Sequence, residues 1–293
     1  MQLFSHCVIR KQLKIIHTKE GINQTVAHHR ESGRTIGLVP TMGALHQGHL
    51  SLVNQSKRSS EITVVSIFVN PTQFNNAADL ERYPRTLDKD LALLEAAGVD
   101  YVFAPDVEEM YPEPTALTFN FGNLESTLEG QFRPGHFSGV GIIVSKLFHV
   151  VQPDQVYFGQ KDLQQVAVIK RLVRDLFFDL EIIVVPTLRE EDGLAMSSRN
   201  ALLSEDARSL APFIYRSLSL AKDELLKGVK WFEVKKQIEA LYQTEPRLRL
   251  EYFELVQSET MEIAHALNDR DIHAICTACY LGEIRLIDNL IVA

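Results

Sequence analysis

The residues best equipped for chemistry stand together early in the chain, in Met42-Gly43-Ala44-Leu45-His46-Gln47-Gly48-His49. If Gly48 and His49 open a helix, both imidazoles lie near its N-terminus and can turn the same way. That end of a helix carries unpaired N–H groups and partial positive charge, which suits phosphate. Gly43 and Gly48 allow a ligand to approach the backbone closely. Imidazoles add donors without a permanent charge, and protonation can tune them. Two plainer readings stand beside this one: a strand–loop–helix turn with incidental histidines, and a His-x-x-His zinc pair. The zinc pair lacks a Cys or Glu cluster nearby to complete its shell.

Similar groupings close other apolar runs. Thr63–Val69 is β-branched and apolar on both faces, as a central parallel strand should be, and it ends in Asn70-Pro71-Thr72-Gln73. Asp154–Phe158 runs into Gly159-Gln160-Lys161-Asp162, and Glu181–Thr187 leads through Leu188 to Met196-Ser197-Ser198-Arg199. Lys161 offers a point charge for phosphate; the Ser197 and Ser198 hydroxyls and the Arg199 guanidinium suit a triphosphate. Asp162 can cap a helix or hold ribose hydroxyls. Loop polarity and helix capping explain each group about as well when taken singly. Asp88 and Asp90, in the first turn of a helix over Leu87–Gly98, either complement its dipole or offer a magnesium ligand. Arg133 and His136 either meet an anion or are simply exposed.

These groups need a scaffold. Strand patterns at Thr35–Thr41, Thr63–Val69, Asp100–Pro105, Asp154–Phe158 and Glu181–Thr187 alternate with helical ones, which implies a parallel sheet with ligands outside its carboxyl edge. Ile15-Ile16 reads as an edge strand, Gly21–Glu31 as a first helix with His28 and His29 on its exposed face, and Leu117–Phe121 as a further strand. Glu129–Phe137 reads as a loop, and a helix runs from Ser138 through Val151. Leu163–Phe177 is another helix. After Ser204 the texture changes. Ala207–Gly228 and Trp231–Gln243 read as amphipathic helices, and Arg249–Gln257, Ile272–Tyr280 and Ile284–Val292 as antiparallel strands. The expected architecture is α/β: a parallel sheet domain with helices on both faces over residues 1–188, then a smaller α+β domain over residues 189–293 that closes over the site.

Composition narrows the function classes. The 293 residues carry a net charge of −8, which argues against a broad nucleic-acid surface. No apolar run is long enough to span a membrane, and the N-terminus has too short an apolar core for a signal peptide, so a cytoplasmic location is expected. Cys7, Cys276 and Cys279 make no disulfide framework; Cys276 and Cys279 read as strand residues rather than a redox or zinc pair. No P-loop, no Gly-x-Ser-x-Gly elbow and no cysteine nucleophile is evident, so the expected chemistry is transfer at ATP by positioning and charge stabilisation.

His46-Gln47-Gly48-His49 with Met196-Ser197-Ser198-Arg199 resembles the nucleotidyltransferase superfamily that includes class I aminoacyl-tRNA synthetases. More closely, the chain from about Thr35 onward resembles the pantothenate synthetase (pantoate–β-alanine ligase) family. The likeness rests on Pro40–His49, Phe68–Phe74, Tyr83–Thr86, Arg133–Phe137, Gly159–Asp162 and Met196–Asn200, in that order. It implies a Rossmann-like nucleotide- and pantoate-binding domain, and a reaction of ATP, (R)-pantoate and β-alanine through pantoyl adenylate to pantothenate, AMP and pyrophosphate. By that resemblance His46, His49 and Lys161 would be catalytic, with His49 as proton donor. ATP would lie on Met42–His49, on Gly159, Gln160, Lys161 and Asp162, on Leu188 and on Met196–Arg199. Gln73, Gln165 and Arg133 would bind pantoate and β-alanine. Asp90 would help position Mg²⁺, although Lys89 stands where the family often carries another acid. The family also implies a homodimer. Met1 to about Leu13 looks like an extension. A tRNA synthetase would need tRNA-binding domains, a cytidylyltransferase would lack Asn-Pro-x-Gln, and a nucleotide-binding regulator would show no β-alanine-dependent AMP release.

Overall fold

The structure, a computed structural model, describes residues 12–292. Cys7 and nearly all of the expected extension lie outside the described residues. A six-stranded sheet, parallel throughout, is built from β1 (Lys14–Ile16), β2 (Ile36–Thr41), β3 (Ile62–Ile67), β4 (Tyr101–Phe103), β5 (Gln155–Gly159) and β6 (Glu181–Val185). Its order is β1-β4-β3-β2-β5-β6, so the chain winds outward from β2 to one side and later from β5 to the other. The crevice between the carboxyl ends of β2 and β5 is therefore the topological switch point, where open α/β sheets bind ligands.

Both faces of the sheet are covered, which is why its strands are apolar on both sides. On one face, Ile22 and Val26 of helix Lys19–Glu31 join side chains of helices His136–Val151 and Leu163–Asp175. On the other, Leu52 and Val53 of helix Gln47–Ser59 meet Leu94 of helix Leu87–Ala96. A second, antiparallel sheet follows, β7 (Leu248–Gln257), β8 (His273–Leu281) and β9 (Ile284–Ile291). One of its faces packs on helices Phe213–Leu226 and Trp231–Gln243, while Cys276 and Ala274 on the other meet Leu128, Phe137 and Ala167 of the first unit. Cys276 and Cys279 are buried strand residues, as their spacing in an alternating segment suggests.

Four expectations need correction. His29 is not on an exposed face: its imidazole is buried and hydrogen-bonds the Tyr101 hydroxyl at 2.7 Å. Leu117–Phe121 is not a strand; Phe119 and Phe121 are apolar because their rings pack on the helix at Gly141. Glu129–Phe137 is largely helical, in Leu128–Phe132 and at the start of helix His136–Val151. Ala207–Gly228 is two helices, Glu205–Leu210 and Phe213–Leu226, because Pro212 cannot continue the first.

Candidate active site

His46 caps helix Gln47–Ser59 in extended backbone, and its neighbours dictate its protonation. The Gly48 N–H donates to His46 Nδ1 at 3.1 Å, and the His46 N–H donates to His49 Nδ1 at 3.3 Å. An N–H can donate only to an unprotonated ring nitrogen, so both imidazoles carry their proton on Nε2. Neither Nε2 has a partner among the described residues, which leaves two N–H donors for a ligand. The ring centroids lie 4.0 Å apart, with the planes tilted by 39°. Burial, then the charge of Lys161, pushes His46 down to about 4. Burial, then His46 and Lys161, pushes His49 down to about 3. Both are neutral hydrogen-bond donors at physiological pH.

The backbone feeding this cap is unusual and has its own anchor. Gly43 and Ala44 both have positive φ, +80° and +50°. The Asp90 carboxylate accepts from the Ala44 N–H at 2.9 Å and the Leu45 N–H at 2.8 Å, with the Thr86 hydroxyl 3.3 Å away. Asp90 is 1% exposed. A carboxylate whose two oxygens are hydrogen-bonded to backbone, with no face open to solvent, does not fit a direct magnesium ligand; its visible work is to hold the left-handed turn.

Gly159-Gln160-Lys161-Asp162 leaves β5 beside β2, and β9 clamps it. Asn289 Nδ2 donates to the Gln160 and Lys161 carbonyls at 2.9 and 2.8 Å. Asp288 accepts two bonds from Arg189, at 2.6 and 3.0 Å. Met196 lies against Gly48, and its N–H donates to the Leu188 carbonyl at 3.0 Å, so the Ser197–Arg199 turn is anchored beside the histidines. A cavity of about 910 Å³ opens here, bounded by Asp79, Tyr83, Arg133, Lys161, Asp162 and Arg199. The histidines are not on that wall; they adjoin it through Lys161 and Met196.

The polar pocket beside it is built by hydrogen bonds. Asn70 Nδ2 donates to Gln73 Oε1 at 3.1 Å and to the Gly139 carbonyl at 3.2 Å. Gln73 Nε2 donates to Met42 Sδ at 3.0 Å. His136 Nδ1 lies 2.8 Å from the Gln73 carbonyl and Arg133 3.2 Å from His136 Nε2. The carbonyl must accept, so His136 is protonated on Nδ1 and takes the Arg133 proton on Nε2. Burial, then Arg133, pushes it down to about 3. Gln165 shares a small recess with Arg133, His136, Lys161 and Asp162. Glu129, buried, accepts from Arg285 at 2.7 and 2.8 Å and from Tyr252 at 2.7 Å, and joins the second sheet to this pocket. Burial acts to raise its carboxyl, but the bonds and charge of Arg285 overcome that and hold it at about 2.

Sequence reasoning missed Asp79, Tyr83, Glu129, His136 as a bridge, Arg285, Asp288 and Asn289. The adjacent polar pair Asp288-Asn289 breaks the alternation of β9 and was the one local signal. Glu129 and Arg285 carried none, since their contact spans 156 residues.

A parallel sheet whose switch-point crevice gathers imidazole donors, a lysine, serines and an arginine defines a nucleotide-binding α/β enzyme. The sequence model of the pantoate-beta-alanine ligase family matches residues 14–291. The pantothenate synthetase of Bacteroides fragilis is 48% identical over 282 residues, covering 95% of this chain and 98% of its own. That of Acetivibrio thermocellus is 48% identical over 96% of this chain and 99% of its own. The crystal structure of pantothenate synthetase from Thermus thermophilus superposes with a TM-score of 0.89 at 43% identity, covering 95% and 99% of the two chains. The pantoate-beta-alanine ligase of Francisella tularensis, solved with beta-gamma ATP and beta-alanine, superposes at 0.78 with 36% identity over 95% and 97%. The chain belongs to the pantoate–β-alanine ligase family, and it is an enzyme of that family.

Proposed function

We propose that this enzyme condenses (R)-pantoate with β-alanine in two steps at one site. The pantoate carboxylate attacks the α-phosphorus of ATP; the bond from that phosphorus to the bridging oxygen breaks, and pyrophosphate leaves. The β-alanine amine then attacks the acyl carbon of pantoyl adenylate. The acyl C–O bond breaks, AMP leaves, and the amine gives up a proton. Adenylation makes AMP a good leaving group, so no enzyme nucleophile is required.

One observation carries this reading: past the carboxyl end of β2, two Nε2–H donors lie beside the charge of Lys161 and beside Met196 at the head of the Ser197–Arg199 turn, while Met42 of the same loop takes the Gln73 amide. On this reading His46 and His49 donate to the phosphate oxygens, and Lys161 neutralises the α-phosphate region. Ser197, Ser198 and Arg199 take the β- and γ-phosphates, and Met42–His49, Gly159–Asp162 and Leu188 hold the rest of the nucleotide. A bound triphosphate places negative charge beside His49 and so raises its proton affinity, which suits it to pass a proton. Gln73 and Gln165 hydrogen-bond pantoate, and Arg133 offers its guanidinium to a carboxylate. Magnesium belongs to this reading as the ion that accompanies ATP, bound without Asp90. The family resemblance supports a cytoplasmic homodimer; no helix among the described residues is long and apolar enough to cross a membrane.

The test is AMP formation with ATP, Mg²⁺, (R)-pantoate and β-alanine, omitting each in turn. AMP that appears only with all four, alongside pantothenate, is expected. His49→Ala should cut the rate by about 10²–10³, the cost of one oriented donor. Tight ATP binding without AMP would sink the ligase reading.

A further inference from the structure

The guanidinium assigned to the phosphates already has a partner. Arg199 Nη2 donates to Asp79 Oδ2 at 3.2 Å, with the two side chains 30% and 40% exposed. Asp79 stands on the short helix Ala77–Arg82, which buries none of its residues and is capped by the Asn76 side chain on the Ala78 N–H at 2.9 Å. Tyr83, buried at the end of this segment, lies near Ser198 and Arg199. Thus the wall formed by residues 76–83 is fastened to Arg199 where the triphosphate would go. Arg82, Arg133, Lys161 and Arg285 are further cations on the cavity wall. Arg285 is held by Glu129 and Glu251, and Asp162 stands next to Lys161. Asp79 is the acid that touches Arg199.

We propose that Asp79 is an internal counter-ion that occupies Arg199 in the nucleotide-free enzyme and sets the affinity of the site for polyphosphate. This deepens the ATP reading and rests on it. The carboxylate presents one oxygen to Arg199, whereas a polyphosphate presents several and more charge, so it displaces Asp79. Exposure decides whether that exchange is easy. A half-exposed ion pair is worth a factor of about two to five, whereas a buried one would resist displacement far more strongly. After adenylation the exchange runs backwards. Asp79 competes with pyrophosphate for Arg199 and favours its departure, leaving the adenylate for the amine. Asp79 is thus a positioning residue that acts through Arg199.

The test is a double-mutant cycle read by calorimetric binding of inorganic pyrophosphate to the whole enzyme. Asp79→Asn, on a surface helix with no buried residue, should tighten pyrophosphate about two- to fivefold. The KM for ATP should fall by the same factor, and the KM for β-alanine should stay unchanged. Asp79→Glu should behave like the parent, because a longer carboxylate still reaches Arg199. In an Arg199→Gln background, Asp79→Asn should leave pyrophosphate binding unchanged. Equal tightening in both backgrounds would reduce Asp79 to a general field effect and overturn the proposal, as would unchanged or weaker binding in the single variant. A parent enzyme that binds neither ATP nor pyrophosphate would remove the ATP reading as well. Normal parental binding with no coupling to Arg199 would sink this proposal alone.

Discussion

Replacing Asp90 by Asn separates a loop anchor from a metal ligand. The side chain keeps its shape but offers one acceptor oxygen where the carboxylate offers two, and its NH₂ then faces a backbone N–H. Two charge-assisted bonds, from Ala44 and Leu45, become one neutral bond and one buried unpaired donor. A hydrogen bond to a charged group contributes about 1.5–3 kcal/mol, and a stranded buried donor costs about 1–3. The expected loss is therefore about 2–4 kcal/mol. The turn can detach without unfolding the sheet, so much of this loss should appear as a misplaced His46 cap. At 1.36 kcal/mol per tenfold, kcat/KM for ATP should fall by at most about 30- to 900-fold, the limit reached if the whole loss falls on the cap. Global stability should fall by less than the full amount. Steady-state kinetics with ATP and Mg²⁺ varied independently, together with urea unfolding, measures all three quantities. A normal stability and a normal ATP dependence, with a raised Mg²⁺ requirement, would refute the anchoring argument and restore Asp90 as a ligand.

Acidification should destabilise the fold through His46, His49 and His136, whose folded values are depressed to about 4, 3 and 3. The unfolded chain takes up these protons first, so stability is intact above about pH 6.5 and falls as the pH drops toward 4. At pH 5 each histidine contributes a loss of about 2 kcal/mol, offset in part by Asp288 and Glu125, which burial makes readier to hold protons; a flat unfolding free energy between pH 7.5 and 5 would contradict this. Glu129→Gln removes the carboxylate that ties Arg285 of the second sheet to the first unit and leaves Arg285 only Glu251 of its own sheet, and denaturant unfolding should register a loss of about 3–5 kcal/mol. Gly139→Ala would put a Cβ 2.3 Å from the Thr72 carbonyl and must push the Asn70–Gln73 turn away. The KM for pantoate should rise more than that for ATP, and equal changes would count against the Gln73 pocket.

The scaffold was legible because it is local. Periodicity separates β3, apolar on both faces, from the half-buried strands after Ser204, and the polar groups after β2, β3, β5 and β6 announce the carboxyl edge. The histidine pair could be placed at a helix start from Gly48 alone. What escaped needed long-range knowledge. Asp90 reads equally as a dipole partner or a metal ligand until the turn at Ala44 is seen folding back on it. His29 looks like one of two surface histidines because the Tyr101 hydroxyl that receives it is 72 residues away. Phe119 and Phe121 mimic a strand because burial against a helix demands the same apolar residues as pairing in a sheet. The tautomers of His46, His49 and His136 follow from backbone donors and acceptors, which no side-chain pattern encodes.

On the proposed mechanism pantoate attacks the α-phosphorus before β-alanine takes part. Exchange of labelled pyrophosphate into ATP reads that step, with pantoate present and β-alanine absent. The exchange should require pantoate and Mg²⁺ but not the amine, and should fall about 10²–10³-fold in His49→Ala. Exchange that needs β-alanine, or release of inorganic phosphate and ADP in its place, would contradict it.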